Sequence, residues 1–493
     1  METQVIKTSS GEFFSVQAGR LVSAAAGVDH PKGWIAKPGY IDNHCHILPT
    51  GLDLLKLNLR ECQTPDDVLQ AVAERHQSQP EGWLLAVQYD QTKFAGAIHL
   101  NRHQLDAISS TRPILLRHSN GHASVANSAA LAAAGVTKDS EDPKGGTFVR
   151  DSAGELTGVL LERAHEVVTS SAPDPSLEEM VEAILRAGSL LASFGFTSAS
   201  DMMTGRWNLA KELEAYRIAS ERGCAIRMGL CLQWASVLGP RGIDPGLLTD
   251  LTKALNPDLC QVEALKIFAD GAIGSATAAI HSTYKTTGEK GTLIYNPEKL
   301  TEMIRKATEA GWGVIIHSIG DRSTDHVMDS IEASGKPASH RIEHVMILSD
   351  AQIERIRSLG CSVTLQPEFL YRFGHAYRSQ LQDDVWPNLI RARSLLDAGI
   401  PISASTDRPI VIGLPEVGID SLVNRPAGFN PAEALRPDEA ELCWTEWAAR
   451  DCKRGGQLGQ LKEGFFADFR LVDDSGTLQE VWRGGEAVWS KTD

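Results

Sequence analysis

Two histidines stand one residue apart, His44 and His46, in the stretch PGYIDNHCHILPTG. Along an extended strand, residues i and i+2 face the same side. Both imidazoles can then point into one space while Cys45 points away into packing. Such a pair is a start on a divalent-metal site, because His and Asp suit zinc and related ions. It is equally a pair of polar residues at a strand end unless the chain supplies more donors. Four further residues qualify: Lys266 in EALKIFAD, His317 in VIIHSIGD, His344 in RIEHV and Asp407 in ISASTDRP. Each is weak alone. A lone core histidine is commonly satisfied by a hydrogen bond, and a lysine in an apolar run needs a partner such as Asp270. A lysine amine that captures carbon dioxide becomes a carbamate, an anionic oxygen donor able to bridge two metals about 3.5–4 Å apart.

The elements that must position these residues alternate along the chain. Short apolar runs at 39–46, 194–200, 224–232, 263–270, 313–319, 340–346, 361–367 and 400–406 read as strands. Amphipathic stretches at 177–193, 299–311, 349–360 and 387–399 read as helices between them. Strand–helix alternation predicts an α/β fold with a parallel sheet, and eight such strands predict a (β/α)8 TIM-like barrel. In such a barrel, reactive groups stand at the C-terminal strand ends. The six residues fall at the ends of, or late in, strands one, four, five, six and eight. Strands one and two are separated by far more chain than a normal crossover needs, so 50–175 is expected to be an inserted subdomain. The turn-rich termini, 1–37 and 441–493, are expected to pair into a small β-sandwich domain, leaving 38–49 and 176–440 to the barrel.

Composition narrows the function. The chain has 493 residues and a formal net charge of −15. That disfavours nucleic acid and anionic membrane surfaces, which need a basic footprint. A small-molecule substrate is the expected partner. The eight cysteines form no CxxC and no dense framework, which predicts a reducing compartment. No signal-peptide pattern and no long apolar run is visible, so the expected location is the cytoplasm. ADGAIGSA lacks the GxGxxG fingerprint, and there is no Walker motif or GxSxG elbow.

PGYIDNHCH, LKIFADGAIGS, IIHSIGD, RIEHV and STDRPI together resemble the amidohydrolase superfamily, most closely the branch of N-substituted formamide deformylases (amidohydrolase family 3). The likeness runs over nearly the whole chain and includes GGTFVRDSAGELTGVL and LGQLKEGFFADF. It implies two divalent ions, zinc by default. His44 and His46 would bind the more buried ion, His317 and His344 the second, and a carboxylated Lys266 would bridge them. Asp407 would be both ligand and proton shuttle. The implied reaction is hydrolysis of a C–N bond in an amide, N-formyl amine or cyclic amide by attack of a metal-bridging hydroxide. Asp407 would pass the proton to the leaving amine. A lactone, ester or phosphoester hydrolase on the same metals is an alternative. So is a metal-dependent deaminase, although that branch does not need Lys266. A metal-free relative is a further alternative, disfavoured by the complete ligand set.

Around this set, the resembled branch carries a histidine near the substrate in an NGH or DGH motif, here His122, which could instead be a structural cap. Asp270, Arg408, His281 and Trp83 are further candidates for substrate contact. Their alternatives are a second layer or turn cap, a strand-end salt bridge, a loop and core packing. The oligomeric state stays open, with a homodimer the one arrangement the resemblance suggests.

Overall fold

The computed structural model describes residues 5–24, 33–119, 123–335 and 340–491. Eight parallel strands form its central sheet: β1 (Tyr40–Cys45), β2 (Phe196–Thr204), β3 (Arg227–Gln233), β4 (Cys260–Phe268), β5 (Val314–Ser318), β6 (Arg341–His344), β7 (Ser362–Leu365) and β8 (Ile402–Ala404). They pair in chain order from β1 to β8. The order is that of a nearly closed (β/α)8 barrel, as the repeating strand–helix pattern predicts. Its strands are buried on both faces, β1 at every position. That is why they read as short apolar runs rather than as alternating ones.

β8 and β1 meet at the closing seam through individual bonds. Asp407 N donates to His44 O at 2.7 Å and His46 N to Arg408 O at 2.8 Å. Below them, Asn43 Nδ2 donates to Ser403 Oγ at 3.1 Å. Register levels the other rim positions. Phe268 lies opposite His317, and Ser318 opposite His344.

The connecting helices include α1 (Leu177–Ser193), α2 (Pro297–Glu309), α3 (Asp321–Ser334), α4 (Asp350–Leu359) and α5 (Glu368–Gln380). Local chemistry sets their ends. Asn296 caps α2, accepting from Lys299 N, with Pro297 in the first turn, where its missing N–H costs nothing. Ser349 and Gln352 form a capping box on α4, and Gly360 closes that helix in the left-handed conformation. The helix expected at 387–399 is shorter. Ile390 has φ 55°, which a helix cannot continue, so the span holds a 3-10 turn at Trp386–Asn388 and a short α-helix at Ala392–Asp397.

The termini form two antiparallel sheets. Val5–Lys7, Phe13–Gln17 and Arg20–Ser23 make one. In the other, Ile35–Pro38 pairs with Phe469–Val472, followed by Leu478–Arg483 and Glu486–Ser490. Ile6, Phe14, Leu21, Ala36, Phe469 and Leu471 share one core between them. The helix Glu446–Asp451 packs on β1 and β8, so the barrel's share of the chain runs past residue 440.

The chain divides into two compact units: Gly51–Glu179, and the remainder, which holds the barrel and both terminal sheets together. The Gly51–Glu179 unit is a six-stranded mixed sheet with helices, built on Leu84, Ile114, Leu116 and Val125. Among the described residues, no helix is long and apolar enough to cross a membrane.

Candidate metal centre

The ends of β1 and β8 are tied together by one buried carboxylate. Asp42 accepts from Thr406 N at 3.0 Å, from Thr406 Oγ1 at 2.5 Å and from His44 N at 3.3 Å. These bonds hold the turn that carries Asp407 against the strand that carries His44 and His46. Asp407 has φ 57°, His344 φ 75° and Val345 φ 35°. Non-glycine residues adopt that region at a cost and keep it only where their surroundings over-determine them, most often at functional sites.

Held this way, side chains from distant segments converge. His46 Nε2 lies 2.9 Å from Asp407 Oδ1 and His44 Nε2 lies 3.4 Å from the same oxygen. The His44 and His344 rings are 4.9 Å apart at their centroids, and those of His344 and His317 are 4.4 Å apart. His44, His344 and Asp407 each offer one ligand atom, all within 4.8 Å of one another. Lys266 is 1 % exposed, and its charge acts on His44, His317, His344 and Asp407 alike.

Hydrogen bonding within the protein leaves this cluster incomplete. Among the described residues, Lys266 Nζ, His46 Nδ1 and both ring nitrogens of His344 are buried and find no well-formed hydrogen bond. A buried polar atom left unpaired is destabilising by about 1–3 kcal/mol, and several in one place call for a shared partner. A divalent cation suits histidine nitrogens and a carboxylate oxygen, so the residues present fit such a group.

Electrostatics sets the donors in their ligand forms. Burial, then the Lys266 charge, holds His44 well below the usual histidine range; burial and the neighbouring imidazoles do the same for His344. Burial and Lys266 bring His317 down to about 4. Neutral imidazole is the form that binds metal. His317 Nε2 donates to Gly271 O at 3.0 Å, leaving Nδ1 as the lone-pair nitrogen. Burial pushes the Asp407 carboxyl up, but His44, His46 and Lys266 outweigh it and hold it below its ordinary value. Burial lowers the Lys266 ammonium to about 8, so a neutral amine is accessible near neutral pH.

The remaining predicted residues are placed differently. Asp270 commits its oxygens to the backbone amides of Ile319 (3.0 Å), Gly320 (2.9 Å) and Ala279 (2.9 Å). It orders the loops after β4 and β5 and stands 3.6 Å from His317 Nε2. His281 is exposed and pairs with Asp325 at 2.7 Å, on the flank of α3. Arg408 Nη1 donates to Ile412 O, bracing the loop after β8. Trp83 belongs to the Gly51–Glu179 unit, packed half-buried against a core that includes Leu115 and Leu131. His122 lies outside the described residues.

Four residues at the centre escaped the sequence reading: Asp42, Thr406, Arg341 and Glu343. The signal for the last two was visible. Arg341 and Glu343 are opposite charges at i and i+2 of a strand that is otherwise buried, an arrangement that needs polar partners inside the barrel.

A (β/α)8 barrel with histidines, a buried lysine and an aspartate gathered at one rim defines a class, the barrel-fold metal-dependent hydrolases. Within it, residues 32–481 match the model of the Amidohydrolase family, and the chain belongs to that family. It is 30% identical over 453 residues to YtcJ of Bacillus subtilis (strain 168), covering 89% of this chain and 84% of that one. It is 27% identical over 502 residues to the N-substituted formamide deformylase of Arthrobacter pascens, covering 95% of this chain and 90% of that enzyme. The fold is shared with an uncharacterised metal-dependent hydrolase from Pyrococcus horikoshii OT3, with a TM-score of 0.77 at 23% identity over 95% of this chain and 96% of that one.

Proposed function

We propose that the protein hydrolyses a carbon–nitrogen bond in an amide, N-formyl amine or cyclic amide, at a centre that holds two divalent cations, zinc by default. His44, His46, His317, His344 and Asp407 would hold the ions, with Lys266, as its carbamate, a further ligand. The observation that carries the reading is the convergence of buried, unpaired His46, Lys266 and His344 atoms beside His44 and Asp407. Membership of the family and the likeness to a formamide deformylase support it. When bound, the cations supply Lewis acidity, acidifying water and polarising a carbonyl oxygen.

The protein's own residues do the rest. The neutral Lys266 amine attacks carbon dioxide at carbon, forms an N–C bond and releases a proton, which turns a buried cation into an anionic ligand. Asp407 takes a proton from the attacking water at a carboxylate oxygen. As the carbonyl carbon gains the water oxygen and the C–N bond breaks, the same carboxyl delivers that proton to the departing nitrogen. One group acting first as base and then as acid is ordinary general acid–base catalysis. The eight cysteines form no CxxC and no dense framework, which supports a reducing, cytoplasmic setting.

A substrate panel tests the reading. Purified protein supplied with zinc is assayed against N-formyl amines, N-acyl amines, cyclic amides, lactones, phosphoesters and amino-heterocycles. Release of amine or ring opening at a C–N bond is expected. Turnover confined to lactones or phosphoesters, or ammonia release from heterocycles alone, would overturn it.

A further inference from the structure

Asn43, Arg341 and Glu343, three members of one bonded ring inside the barrel, have no part in the chemistry described above. His44 Nδ1 lies 2.5 Å from Glu343 Oε2, with both side chains almost wholly buried. The other carboxylate oxygen, Glu343 Oε1, accepts from Arg341 Nε at 2.6 Å. Arg341 Nη2 in turn donates to Asn43 O at 3.0 Å, the peptide carbonyl just before His44. Asn43, Arg341, Glu343 and His44 thus close a loop of interactions through the backbone of β1. β6 grips β1 at two points, one on the main chain and one on the imidazole.

The chemistry of this ring constrains one proton. An ionised carboxylate accepts and does not donate. Facing Glu343, His44 Nδ1 therefore carries the hydrogen, and Nε2 carries the lone pair. That nitrogen is the one directed at Asp407 Oδ1, 3.4 Å away. Arg341 balances the Glu343 charge within the ring, so the carboxylate needs no cation to remain an acceptor. Histidine ligands are commonly fixed in this way by a second hydrogen bond, and loss of that bond weakens metal binding by about 10–100-fold.

We infer that Glu343, held by Arg341, is a positioning residue that sets the tautomer and orientation of His44 and thereby the cation affinity of the centre. The inference rests on the metal reading above. Its test is zinc binding by the full-length, metal-stripped protein, measured by competition with a chromophoric chelator, together with the thermal unfolding of each variant. In Glu343→Gln the amide either turns its NH2 toward Arg341 Nε, donor against donor, or toward His44 Nδ1, which forces the proton onto Nε2. Zinc affinity of the folded variant is expected to fall about 10–100-fold; its metal-free melting temperature falls too, because Arg341 loses its buried charge partner, so binding is measured below that temperature. Glu343→Asp, which keeps the carboxylate, is expected to recover about tenfold of that loss. Arg341→Lys, which loses the planar fork that spans Glu343 and Asn43 O, is expected to shift affinity in the same direction. Glu433→Gln is the control, a buried carboxylate paired with Arg391 and Ser394 and with no member of the centre; it should bind zinc as the wild type does. Wild-type affinity in Glu343→Gln, or an equal loss in Glu433→Gln, would overturn the inference and leave the metal reading standing. A wild-type protein that binds no zinc would overturn both.

Discussion

His46 Nε2 and Asp407 Oδ1 lie 2.9 Å apart, although 361 positions separate them in the chain. The contact exists because β1 and β8 close the barrel, and it puts the proposed proton carrier beside a proposed ligand. Replacing Asp407 by Asn removes the proton acceptor while nearly keeping the shape. We expect kcat of the zinc-supplied enzyme to fall about 10²–10⁴-fold with a smaller change in KM. Because Asp407 is held below the usual carboxylate range, its own protonation should not limit wild-type activity at mildly acidic pH, and acid-side loss there should follow the Lys266 carbamate instead. A steady-state pH series on the two proteins checks both points; an Asn variant with wild-type kcat would remove Asp407 from the mechanism.

Lys266 offers a pH signature that does not depend on turnover. Only the neutral amine attacks carbon dioxide, and burial brings this ammonium down to about 8. In metal-free protein the reactive fraction should therefore rise about tenfold per pH unit below 8 and level off above it. Labelling with ¹³C-bicarbonate should give a carbamate resonance that grows with that profile, is lost on acidification and is missing in Lys266→Ala. The Ala variant should also lose at least about 10²-fold in kcat. A wild-type protein that takes up no label while fully active would count against the bridging role.

The Asp42–Thr406 tie predicts a split between stability and positioning. Thr406→Val removes the hydroxyl that donates to Asp42 and leaves a buried carboxylate short of a partner. A loss of about 1–3 kcal/mol is expected, read as a lower denaturation midpoint. Thr406→Ser keeps the hydroxyl and should restore both stability and kcat. Equal behaviour of the Val and Ser variants would show that the tie does not hold Asp407 in place.

Much of this architecture was legible in the residues themselves. The barrel strands are buried on both faces, so each appears as a short apolar run, and the proposed ligands stand out because His, Lys and Asp are rare there. His317 and His344 stand out as candidates by their joint order at strand ends, and the family resemblance gives them ligand roles. Glu343 was passed over although it adjoins His344, because its meaning lies in a contact with His44, 299 positions away. Asp42 was missed for the same reason, its partner Thr406 being 364 positions distant. The break at Ile390 arises from a backbone angle that tertiary packing imposes and local propensity does not foretell. Asp270 was recognised as special, but only the fold shows that backbone amides take up its oxygens.

The central claim is that the side chains at the barrel rim hold cations. Elemental analysis of the purified protein before and after chelation, on the wild type and on a His46→Ala/His344→Ala double variant, tests it most directly. The account predicts about two divalent ions per wild-type chain, activity that disappears with them and returns with zinc, and a double variant that retains neither ions nor activity. A wild-type protein that carries no ion and keeps full activity after chelation, or a double variant that binds metal as the wild type does, would contradict it.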